Sequence, residues 1–160
     1  MASYSPCQIH IGGAIPRALL PDLAAVVNAT GAGRGWGGGP YHLTPDEIEE
    51  CEGGDLPVID DQARFGAMVH LEKFLLQNQI DFDRATTASS GQDACVRKGR
   101  NTGDGYRSIE THATSDCEPA LVSAEIEAIL EQATTLDDAT ARIRRALGSD
   151  MEDLAPLRVI

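Results

Sequence analysis

Lysine is nearly missing from this chain: Lys73 and Lys98 are the only two among 160 residues, and the other eleven basic side chains are arginines. Against these 13 bases stand 25 acids, a net charge of −12. So negative a chain is repelled by nucleic-acid phosphates, where each contact needs a cation to displace counterions. It is equally repelled by anionic membrane surfaces. Neither nucleic acid nor membrane is therefore an expected direct partner. A basic protein surface is, including that of a nucleic-acid-binding complex.

Aromatic residues are scarce as well, at 4% with Trp36 the lone tryptophan, so aliphatic side chains must build the core. No apolar run is long enough to cross a bilayer, and Met1 to Ile11 lack the basic region and apolar stretch of a signal peptide. The four cysteines, Cys7, Cys51, Cys95 and Cys117, include no CxxC pair. Reduced thiols and a cytoplasmic protein are the expectation. The length fits one domain spanning 1–160, large enough to bury roughly 70% of its unfolded surface without staples.

Signatures of catalysis are missing too. There is no GxxxxGK[ST] loop, HExxH pair or GxSxG elbow, and no cysteine stands at a telling distance from a histidine. No catalytic residue, cofactor or metal is assigned, and an enzyme is the less favoured class. Gly33-x-Gly35-x-x-Gly38 matches a dinucleotide fingerprint as a string, but that chemistry needs a strand before it and a helix after it. Here the string follows a helix, leads into Pro40, and belongs to a stretch with six glycines between 31 and 39. That stretch reads as a loop or a glycine-weakened edge strand around Trp36. Glu110 and His112 share one face of a predicted strand, as metal ligands or an acid–base pair do; exposed strand faces also produce such pairs routinely. Asp81 and Asp83 read as a solvated strand face. Arg97-Lys98-Gly99-Arg100, the one basic cluster, reads as a hairpin turn or a small anion site.

The pattern that is present alternates strands and helices. Cys7, Ile9 and Ile11 alternate with Gln8 and His10 as a half-buried strand. A helix is expected over 16–29, with Pro21 in its first turn and Gly31 as its stop. Thr44-Pro45-Asp46-Glu47 is a capping-box start for a short helix ending by Gly53-Gly54. After a brief strand at 56–59, Asp60 or Asp61 is expected to cap the longest helix. That helix runs to about Gln79 and buries a stripe from Phe65 to Leu76. Strands follow at 80–84 (Ile80 and Phe82 inward, Asp81 and Asp83 outward), 94–98 and 106–112. The polar stretch 86–105 surrounds the second of these.

Two more helices start at Ser123, with Ile126, Ile129, Leu130 and Ala133 on one face, and after Thr135, with Leu136, Ala139, Ile143 and Leu147 inward and Gly148 as the stop. Leu154 to Ile160 is apolar enough to pack back as an extended tail. The order implies an α+β fold, a small mixed sheet covered by four to five helices.

The acids are unevenly placed. Between Arg34 and Arg64 lie Asp46, Glu47, Glu49, Glu50, Glu52, Asp55, Asp60 and Asp61, with no base among them. Between Arg107 and Arg142 lie Glu110, Asp116, Glu118, Glu125, Glu127, Glu131, Asp137 and Asp138, again without a base. Sixteen of the 25 acids thus occupy two stretches. Composition and solubility account for such a bias, and so does a surface built to meet a basic partner. The first stretch is the candidate partner-binding surface.

Several segments carry a resemblance: Gly12-Gly13-Ala14-Ile15-Pro16-Arg17 leading to Leu20-Pro21; Trp36-Gly37; Asp61-x-Ala63-Arg64-Phe65-Gly66 leading to Leu71-Glu72-x-Phe74; and Phe82-Asp83-Arg84. They resemble short hypothetical proteins of phages, plasmids and integrated elements, over much of residues 8–84 and weakly at the C-terminal helix and tail. The resemblance carries over no catalytic residue. It implies a mobile-element accessory, a setting in which small acidic proteins block host-defence complexes by occupying their nucleic-acid grooves. The leading expectation is a non-enzymatic interaction protein. The alternatives are an enzyme or ligand-binding domain with a site near the 31–42 loop (Trp36, His42) and Glu110/His112, and a phage structural or assembly subunit.

Overall fold

The computed structural model describes residues 4–89 and 93–160; residues 90–92, within the polar stretch 86–105, and the first three residues lie outside the described residues. Strand β1 (Tyr4–Gly12) is longer than its apolar alternation alone indicates, and Cys7, Ile9 and Ile11 are fully buried on its inner face. The short β2 (Ala14–Ile15) and a 3-10 turn at Arg17–Leu19 lead into α1 (Leu20–Thr30). Pro21 occupies the first turn of α1, and Gly31 closes it in the left-handed conformation at φ 75°. The capping box of α2 (Pro45–Glu49) forms with both its arms: Thr44 accepts from the Glu47 N–H, and Glu47 accepts from the Thr44 N–H.

The expected long helix from Asp60 is not there. Strand β3 (Leu56–Arg64) continues through this segment, pairing Asp60 with Cys7, Ala63 with Ser5 and Arg64 with Tyr4 across a bulge. Asp60 accepts from the Gln62 N–H at 2.9 Å, so the residue expected to cap a helix supports the bulge instead. Phe65 (φ 55°) and Gly66 (φ 59°) then turn the chain, and α3 begins only at Val69, ending at Gln77. Leu71 and Leu75 are buried as expected, but Phe65 is 51% and Val69 64% exposed.

The chain then forms β4 (Asp81–Thr86), β5 (Cys95–Thr102), β6 (Gly105–Ala113) and β7 (Pro119–Ala120), followed by α4 (Ser123–Gln132), α5 (Leu136–Ala146) and β8 (Arg158–Val159). The six-stranded sheet runs in the order β3-β1-β4-β5-β6-β7 and is antiparallel at every pairing; the parallel component is the separate β2–β8 pair. Because β3 and β4 both flank β1, α3 carries the chain over β1 between them. Helices α1, α2 and α3 bury Leu20, Leu23, Val27, Ile48, Leu71 and Leu75 against Ile9, Ile11, Val58 and Phe82. Asp81 departs from the outward expectation: it is buried and accepts from the Asn101 N–H at 2.7 Å. The C-terminal tail packs back in extended form, with Leu157 fully buried.

Candidate functional site

The acids of the first stretch stand on or beside α2 and β3. Glu49 is paired with Arg17 and Asp55 with His10. Glu47, Glu52, Asp60 and Asp61 instead accept backbone N–H groups, from Thr44, Val159, Gln62 and Gly37. Such bonds occupy an oxygen without supplying a counter-charge. The bonds from Thr44 hold the Glu47 carboxyl below its ordinary range. Among the described residues, Asp46 and Glu50 make no ion pair. Six of the eight acids therefore have no ion-pair partner among the described residues.

The second stretch behaves alike. Glu110 pairs with Arg84 and Arg97, and Asp138 with Arg142. Among the described residues, Asp116, Glu118, Glu125, Glu127, Glu131 and Asp137 have no basic partner. Here α4 and α5, consecutive in the chain, pack against each other as a helical hairpin. Helix α5 turns to the sheet face opposite α1 and α3: Arg107 of β6 donates to the Arg145 carbonyl at 3.0 Å and pairs with Asp150 at 2.7 Å. Helix α4 has no buried residue, although its apolar spacing predicts an inward face. Val122, Ile126 and Leu130 are exposed, and so is Leu136 at the hairpin tip, 81% exposed where the spacing predicts an inward position.

The alternative ligand residues do not converge. Trp36 and His42 lie on the connection between α1 and α2, which Gly33 ties to Ile59 on the outer edge of β3. Glu110 and His112 lie on β6, four strand spacings away, roughly 19 Å. Glu110 belongs instead to an ion cluster on the helix-covered face. Arg84 donates to Glu72 at 3.1 and 3.2 Å, to Glu110 at 2.9 Å and to the Cys95 Sγ at 2.9 Å. Arg97 adds a contact to Glu72 at 3.3 Å. Burial works against the charge on Arg84, but the carboxylates of Glu72 and Glu110 hold its pKa above the ordinary value. Burial pushes the Cys95 thiol up, with Arg84 partly opposing it, and pushes the Cys7 thiol up to about 12. Both shifts favour the protonated thiol over the thiolate.

A cavity of about 880 Å³ opens at the other end of β3, between Val26 and Thr30 of α1, Asp60 and Arg64 of β3, and Met68 and His70. Arg64 lies over the Phe65 ring, 5.3 Å from its centroid. Sequence reasoning missed this concavity because it assigned Asp60 to Met68 to a helix. Among the described residues no group of three or more His, Cys, Asp or Glu side chains is arranged to hold a metal, and no helix is long and apolar enough to cross a membrane. No family model, curated protein or solved structure matches this chain.

Proposed function

We propose that this chain is a non-enzymatic interaction protein that engages a basic partner through its acidic surface. The observation that carries this reading is the state of the two base-free stretches, in which twelve of sixteen acids have no ion-pair partner among the described residues. Like charges held together on a folded surface repel, so they cost stability unless a complementary surface meets them. Lysine- and arginine-lined grooves of nucleic-acid-handling complexes, host-defence complexes among them, are partners of this kind. The resemblance to short proteins of mobile elements adds to that choice.

The test is a salt series on the partner recovered from the natural host. Its affinity is expected to fall steeply as salt rises and the Debye length shrinks. Asp46→Lys with Glu50→Lys is the informative charge reversal, because among the described residues neither side chain makes a hydrogen bond or ion pair, whereas Glu47 closes a capping box. An affinity that ignores both salt and charge reversal overturns the proposal.

A further inference from the structure

Helix α4 sets apolar and acidic side chains in parallel rows. Ile126 and Leu130 are spaced i, i+4 and form one ridge along the exposed face. Glu127 and Glu131, one position further along the chain, form a second ridge beside it with the same spacing. Ile129 and Ala133, on the other flank, are half-buried. The exposed apolar ridge continues at Val122 on one end and at Leu136 on the other. An amphipathic helix with no buried residue gains little from its own fold, since helices of this length owe their stability mainly to packing. We propose, resting on the reading of an acidic interaction protein, that this face docks an amphipathic helix of the partner. The docked helix presents an apolar ridge flanked by a parallel row of Lys or Arg.

The charge pattern selects this occupant. A second copy laid α4 against α4 brings the Glu127–Glu131 rows together, with no base on α4 to relieve them. The α5 helix of a second copy offers Arg144 and Arg145, but Ala139 and Ile143 are buried or half-buried within its own subunit, and its exposed Leu136 stands at the opposite end of the helix beside Asp137 and Asp138. An anionic lipid surface meets the same acidic row and is repelled. A helix with both an apolar ridge and a basic row satisfies both rows of α4 at once by packing helix on helix.

The probe is a synthetic amidated helix of about 14 residues, about four turns long, with leucines at i, i+4 spacing and arginines one position along. The control peptide has the same composition with the arginines on the opposite face. Binding to the full chain is followed by fluorescence anisotropy from about 0.05 to about 0.5 M salt, and amide shifts locate the site. Perturbations confined to 122–136 are expected. Ile126→Ser with Leu130→Ser is expected to weaken binding by at least about tenfold, and Glu127→Lys with Glu131→Lys to weaken it and flatten the salt dependence. All four positions are exposed, so an unchanged unfolding transition shows that these variants keep the fold.

Equal binding by either double variant, or by the control peptide, overturns the inference. So does a dimer in light scattering that Ile126→Ser with Leu130→Ser abolishes, because a second copy is then the occupant. If peptide binding survives the α4 variants and is lost with Asp46→Lys and Glu50→Lys, the acidic interaction reading stands and only the α4 assignment falls. If the recovered host partner shows no salt dependence, the broader reading falls whatever the peptide does.

Discussion

At the scale of single residues, the dominant polar feature is the pair between Glu72 and Arg84, whose side chains are each 6% exposed. Two charges removed from water are expensive, and their attraction offsets that cost only while both are present. Arg84→Met leaves Glu72 buried with Arg97 alone, 3.3 Å away, and is expected to lower stability by about 3–5 kcal/mol in urea unfolding. Replacing both partners, Glu72→Met with Arg84→Met, is expected to recover most of the loss, because no unpaired buried charge remains. A double variant as unstable as the sum of the singles would show that the pair is not coupled. The alternation that turns Phe82 inward puts Arg84 on the same face of its strand, but nothing in the sequence marks Glu72, beside Leu71, as a buried charge. Their meeting was not legible, since it depends on α3 crossing over β1 to place β4 beneath the helix.

At the scale of elements, local signals were read correctly where the backbone decides alone. Thr44 with Glu47, Pro21 and Gly31 set the ends of α2 and α1 through bonds within a few residues. Asp60 to Arg64 failed because Asp-Asp-Gln-Ala-Arg suits a helix start and a bulged edge strand equally, and pairing with β1 decides between them. Helix α4 shows the other limit: its periodicity announces an apolar face without saying what covers it. Its start is also weak. Val122 at the N-cap has no side-chain acceptor, and the one capping bond runs from the Val122 N–H to Glu125 at 2.9 Å. Val122→Ser supplies the missing arm of a capping box and is expected to stabilise α4 by about 1 kcal/mol. Native-state hydrogen exchange reads this as slower exchange confined to 123–132; unchanged rates there would mean that the hairpin, not the cap, limits opening.

At the scale of the whole molecule, the acidic bias is a bulk property in the composition and becomes a distribution in the fold. One part of the chain, β1 to β4 with α1 to α3, holds most of the apolar core, and the C-terminal tail locks it. Leu157 donates its N–H to Gly54 at 2.7 Å and accepts from Gly53 at 3.0 Å, while Arg158 and Ile160 donate to Gly13 and Ile15. Residues 157–160 therefore hold both the turn after α2 and the β2 segment, each more than a hundred residues earlier in the chain. The α4–α5 hairpin, which immediately precedes this tail, exposes its apolar ridge and contributes little to that core. Stability and binding are thus expected to separate along the chain. Leu157→Ala, which empties a fully buried site, is expected to cost about 2–5 kcal/mol of global stability. It should also speed exchange at the Gly53 and Ile160 amides while leaving affinity for the basic probe helix unchanged in the folded fraction. Ile126→Ser with Leu130→Ser should do the reverse. If Leu157→Ala weakens probe binding as much as the α4 variants do, the two regions are one cooperative unit, and the hairpin is packing in the core rather than standing beside it.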